Sequence, residues 1–99
     1  MNTFQVAQLD IQDVQLLVIF LPSDFDSKAA TEKLEFHATL ERCAETAGLA
    51  GNVVILWQDS SNRTRFIAPP QQHPFFQIMK YEQLLAQANR TITCPSIPD

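Results

Sequence analysis

The sequence holds no glycine-rich phosphate loop, no GxSxG elbow, no HExxH helix and no close cluster of cysteine and histidine. Each of these patterns carries a mechanism, so nucleotide binding, serine hydrolysis and zinc chemistry all lack their hallmarks. Only 2 glycines occur in 99 residues, and neither follows the first long apolar run, where a phosphate-binding turn would need one. Basic residues are also sparse. Against 11 Asp and Glu stand 7 Lys and Arg, scattered along the chain, for a net charge of -4. Such a surface repels a phosphate backbone, which argues against nucleic acid as a partner.

The longest aliphatic and aromatic run, Leu16 to Leu21, falls far short of the roughly 20 residues that span a bilayer as a helix. The opening MNTFQVAQLD has no basic region of the kind that starts a secretory signal. Neither membrane insertion nor export is expected, and the reading is a cytoplasmic protein. Cys43 and Cys94, the only cysteines, lie far apart without the spacing of zinc or redox motifs, and read as reduced cytosolic thiols. Asn62-Arg-Thr and Asn89-Arg-Thr match the glycosylation pattern but mean little without a secretory signal.

What is present is enough apolar residue, 45% of the chain, to build one core. Residues 1–99 form a single domain, with 94–99 as a frayed tail. Phe4, Val6, Leu9 and Ile11 alternate with a slip, consistent with a short strand bent or bulged near Gln8. VQLLVIFL is apolar at consecutive positions, as a strand hidden on both faces must be. In SDFDS, Asp24, Asp26 and Ser27 are N-cap candidates. From Ala29 to Ala47, Phe36, Leu40, Cys43 and Ala44 share one side of a helical wheel, and Gly48 supplies the left-handed exit. NVVILWQD is a second two-faced strand, Asp59 to Asn62 a hairpin turn, and RTRFIAP the returning strand, ended by Pro69 and Pro70. Pro74 opens a further helix whose stripe of Ile78, Tyr81, Leu85 and Ala88 leaves out Phe75, Phe76 and Met79, which places a break near Lys80. TITC reads as a last strand.

This order, β followed by βαββαβ, is an α+β pattern and fits a two-layer ferredoxin-like sandwich with an extra N-terminal strand. The competing layout is a three-layer, thioredoxin-like α/β sheet with a helix on each side. In a two-layer sandwich one sheet face meets water, yet two strands here are apolar on both parities. The expectation is therefore a homodimer packed through sheet faces, each partner burying about 800 Å².

Asp59, Arg63, Arg65 and His73 form the best candidate constellation. Hairpin closure brings Asp59 toward Arg63, with Arg65 two residues on. Paired guanidinium groups can grip a carboxylate or phosphate, and His73 or Asp59 can move a proton. Trp57 and Tyr81 are candidate walls of such a ligand site. The plainer reading is charged decoration of a hairpin tip. Phosphatases of the haloacid dehalogenase type place a pair of acids directly at a strand end. Before Asp24 and Asp26, however, Pro22-Ser23 intervenes, and helix capping explains the two acids more simply. His37 with Glu41 at i+4 is a boundary pair, and Leu34 a single exposed leucine. No metal and no cofactor is implied.

A strand ending in Trp57-x-Asp59, followed by His73-Pro74-Phe75-Phe76 at a helix start, resembles the small antibiotic-biosynthesis-type monooxygenases. The resemblance implies a dimer of ferredoxin-like subunits, although RTRFIAPP occupies the place of a helix in that family. Two functional expectations result. The first is a non-enzymatic, self-associating domain that binds a protein partner or a small ligand. The second is a small enzyme, or a carboxylate- or phosphate-binding domain, built on the hairpin cluster.

Overall fold

A computed structural model describes residues 2–11, 13–49, 51–68 and 70–94. It is an α+β chain in which a five-stranded mixed sheet carries helices on both faces. The strands are β1 (Asn2–Ile11), β2 (Val14–Phe20), β3 (Asn52–Gln58), β4 (Thr64–Ile67) and β5 (Arg90–Cys94). The helices are α1 (Ala30–Thr46), α2 (His73–Ile78) and α3 (Tyr81–Leu85). Strand order is β4-β3-β2-β1-β5, with β2 and β3 parallel and every other neighbouring pair antiparallel.

The two-faced strands decide the layering. Leu17, Ile19 and Leu21 with Val53, Ile55 and Trp57 point to one side, where Phe36, Leu40, Cys43 and Ala44 of α1 cover them. Leu16, Val18 and Phe20 with Val54 and Leu56 point to the other, where Phe76 of α2 and Leu84 of α3 close over them. Leu16 to Ile19 are all fully buried. Complete burial of such a side chain contributes about 1.5–3 kcal/mol, so a bare second face would forfeit much of the stability of a chain this small.

The two-layer expectation is thereby corrected to three layers. A split β-α-β arrangement also needs a strand between the two parallel ones, and here β2 and β3 pair directly. The expected dimer through sheet faces loses its basis as well, because the chain's own helices occupy both faces.

No bulge bends β1. Its register runs unbroken from Val6↔Ile19 to Ile11↔Val14, and from Asn2↔Cys94 to Val6↔Arg90. The slipped pattern has another cause: Phe4 and Val6 pack on the α1 side, whereas Ala7, Leu9 and Ile11 pack on the α2/α3 side. One straight strand thus serves different faces with its two halves.

The segment SDFDS does not cap α1. It forms a 3-10 turn of its own, Ser23–Ser27, and α1 starts after Ala29 without a side-chain cap. Phe25 of that turn plugs the end of the sheet against Trp57, with ring centroids 4.9 Å apart, and Trp57 Nε1 donates to Asp26 Oδ1 at 3.0 Å. At its other end α1 closes as the glycine implies. Gly48 has φ +76°, its N–H bonds to Glu45 O, and Leu49 N bonds to Ala44 O. The helical segment after Pro74 breaks between Ile78 and Tyr81, as its irregular stripe implies. Residues 95–99, most of the expected tail, lie outside the described residues.

Cys43 of α1 and Cys94 of β5 are joined in a disulfide, with Cα atoms 5.7 Å apart, which corrects the expectation of two reduced thiols. The bond ties α1 to an edge strand and closes a loop of 51 positions. No helix among the described residues is long and apolar enough to cross a membrane. A cross-link over a loop of this length stabilises a fold by about 2–4 kcal/mol, chiefly by restricting the unfolded chain. Urea unfolding with and without a dithiol reductant should therefore show a midpoint that falls on reduction while the slope per molar urea rises. An unchanged midpoint would contradict the cross-link.

Candidate functional site

The turn between β3 and β4 is built around Asp59. A three-residue loop follows it, in which Asn62 N bonds to Asp59 O, Asn62 takes φ +62°, and Asp59 N bonds to Arg63 O at 3.0 Å. This is a type I turn closed by one left-handed residue, a position that asparagine tolerates well. The Asp59 side chain is buried and fully engaged. Its Oδ1 accepts from the backbone N–H groups of Ser61 at 2.8 Å and Arg63 at 3.0 Å, and its Oδ2 accepts from Arg65 Nε at 3.1 Å. The Arg63 amide, helped by the Ser61 amide and by Arg65, holds the carboxyl below the usual aspartate range and outweighs burial, which acts upward. Such a carboxylate fastens the turn and is a poor proton acceptor.

His73 is similarly occupied. Its Nε2–H donates to Ala68 O at 2.8 Å, since a carbonyl can only accept, and the ring meets Phe66 edge-on at 5.2 Å. The ring pins the connection from β4 into α2. Asp59 and His73 are thus bonded to different segments, and no hydrogen bond among the described residues links them.

The remaining candidates separate across the sheet. Trp57 lies in the α1-side core, with Lys33 Nζ 5.3 Å from its ring centroid. Tyr81 packs on the opposite side, edge-on to Phe20 at 5.6 Å. Burial raises the Tyr81 hydroxyl above its ordinary range. These two rings cannot wall one pocket, because the sheet stands between them. Arg63 and Arg65 part as well: Arg65 is held by Asp59, whereas Arg63 lines a cleft on the α2/α3 side.

That cleft is the feature the sequence reading missed. About 620 Å³ in volume, it opens between the β4 strand and the break that separates α2 from α3. Phe66 and Phe76 form its floor, Ile78 and Met79 one wall, and Arg63, Lys80 and Glu82 its charged rim. Ile78 is 79% exposed, the most exposed large apolar side chain among the described residues. The walls are fixed by local bonds. Tyr81 N donates to Thr64 Oγ1 at 3.0 Å, Gln58 Nε2 to Glu82 Oε1 at 3.3 Å, and Lys80 N to Gln83 Oε1 at 3.0 Å. The signal in the sequence was the misfit of Phe76 and Met79 with the helical stripe, which marks the break that opens the cleft.

His37 has a structural role in α1. Its Nε2 donates to Val53 O at 2.7 Å, and its Nδ1 lies 3.3 Å from Glu41 Oε1, pinning the helix to β3. Among the described residues no group of three or more His, Cys, Asp or Glu is arranged to hold a metal ion.

Because the folded pKa of Asp59 is depressed, its stabilising contribution is fully present above the unfolded value of about 3.9 and is lost as pH falls through the folded pKa. Thermal unfolding of the parent and of Asp59→Asn should differ by several degrees at neutral pH, with the gap narrowing in acid below about pH 4. Equal melting temperatures at neutral pH would contradict the role given to this carboxylate.

In comparisons with known proteins, no family model, no curated protein and no solved structure matches the chain. The likeness of Trp57, Asp59 and His73 to the monooxygenase pattern gains nothing from the geometry, which places Trp57 in the core on one face of the sheet and the His73 ring against Phe66 on the other.

Proposed function

We propose that the chain is a non-enzymatic binding domain that works through the cleft between β4 and the α2/α3 break. Its ligand presents an anionic group to Arg63 and Lys80 and lays an apolar portion over Phe66, Ile78 and Met79. The observation that carries this reading is the conjunction, in one open hollow, of Arg63 and Lys80 with the exposed Ile78 and the half-buried Phe66 and Met79, while Glu82, the acid of the same rim, accepts a hydrogen bond from Gln58. Exposed apolar surface rimmed by polar groups is a common mark of a binding site, and a hollow of this size lies within the ordinary range for ligand sites. The binding reading is favoured over the enzymatic one because the two acid-base candidates are committed elsewhere. Asp59 holds the turn and His73 holds Ala68.

Octanoate and octanol share an apolar chain and differ in charge, which makes them suitable probes. Titration of the ¹⁵N-labelled protein with octanoate should move the amide signals of Thr64, Phe66, Ile78 and Lys80 together, with octanol giving weaker changes. Arg63→Ala combined with Lys80→Ala should weaken octanoate binding by roughly fivefold, in line with exposed charge pairs worth up to about 1 kcal/mol each. Signals that stay still at millimolar octanoate, or that move equally all over the surface, would contradict the proposal.

A further inference from the structure

The hydrogen-bond phase of the β3–β4 hairpin determines which groups of β4 are left open. Asp59 and Arg63 close the hairpin as a bonded pair, Asp59 N donating to Arg63 O. In an antiparallel ladder bonded and non-bonded pairs alternate. Along the observed register, Trp57↔Arg65 and Ile55↔Ile67 are therefore bonded pairs, and Gln58↔Thr64 and Leu56↔Phe66 are non-bonded. The N–H and C=O groups of Thr64 and Phe66 consequently point away from β3.

β4 is the edge strand on that side of the sheet. Among the described residues no backbone group beyond the ladder bonds to Thr64 or Phe66. Their side chains are the same two that front the cleft. An open backbone edge and the hollow beside it thus belong to the same pair of residues. We infer that the ligand of the cleft is an extended acidic peptide segment that adds to β4 as a sixth strand. This inference rests on the binding role proposed for the cleft and specifies its occupant.

The geometry sets the terms of recognition. An added strand can bond to two N–H and two C=O groups, those of Thr64 and Phe66; beyond them Ala68 O is already bonded to His73 Nε2, and Pro70 has no N–H to offer. Alternate side chains of the guest lie on the Phe66 face, above the cleft floor, as in other cases of strand addition. Ile78 and Met79 receive the apolar ones, and methionine adapts readily to differing shapes. Arg63 and Lys80 favour acidic residues at the rim. The whole chain carries a net charge of -4, so an acidic guest is drawn by these two side chains and not by the overall field. A four-residue edge is short enough to avoid indiscriminate pairing, which is how natural sheets protect their edges.

The test uses the full ¹⁵N-labelled chain and a pool of capped hexapeptides with Glu at one of positions 1, 3 and 5, Val, Leu or Ile at the other two, and Thr at positions 2, 4 and 6, so that acidic and apolar side chains share the face turned to the cleft. Amide signals of Thr64 and Phe66 should shift, and their hydrogen exchange should slow by about tenfold at saturation. The same pool N-methylated at alternate amides, or with Lys in place of Glu, should have no effect, and Arg63→Glu combined with Lys80→Glu should abolish binding. If N-methylated peptides bind equally well, or if the shifts fall on the β5 edge, strand addition to β4 is overturned. Where octanoate still occupies the cleft in that case, the broader binding role survives. If neither the peptides nor octanoate perturb the cleft, both are overturned.

Discussion

Two adjacent strands that are apolar at nearly every position impose the main constraint on this molecule. β2 and β3 pair side by side and in parallel, so their odd and even residues form two continuous apolar faces. Water cannot be left against either face without losing most of the hydrophobic stabilisation of a small domain. The long helix α1 covers one face. The other is covered by two short helices, which supply Phe76 and Leu84 as their fully enclosed side chains. The rest of the fold follows from this division of labour, including a first strand whose two halves face different layers.

The cleft is a by-product of the same constraint. A single long helix over the second face would have presented one regular stripe, whereas the chain turns between Ile78 and Tyr81 to bring both Phe76 and Leu84 onto the sheet. The turn leaves Ile78 outside and opens a hollow against β4. Around this opening, Asp59 fixes the hairpin, His73 fixes the start of α2, and Thr64 fixes the start of α3. Polar residues that looked like reactive groups thus act as fasteners for the hairpin and the helix starts that frame the hollow.

Features governed by local periodicity and turn chemistry were legible in the sequence. The span of α1, its glycine exit, the β3–β4 hairpin and the break near Lys80 all depend on neighbours in the chain. What depends on packing between distant segments was not legible. The continuous apolar pattern of VQLLVIFL and NVVILWQD showed that both faces needed cover but could not show whether a second chain or α2 and α3 supplied it. The link between Cys43 and Cys94 requires α1 to dock beside β5, which spacing does not reveal. Nor does the sequence show that Asp59 and His73 find backbone partners, a pairing invisible when side chains alone are compared. In the same way, the slip in β1 resembled a bulge until each half of the strand could be assigned to its own layer.

The central claim is that this chain seals both faces of its sheet without help, and its mass in solution tests that claim most directly. Multi-angle light scattering at micromolar concentration should give the mass of one chain, 11.2 kDa. A stable mass twice as large, lost together with secondary structure on dilution, would contradict the account by showing that a second copy completes the core.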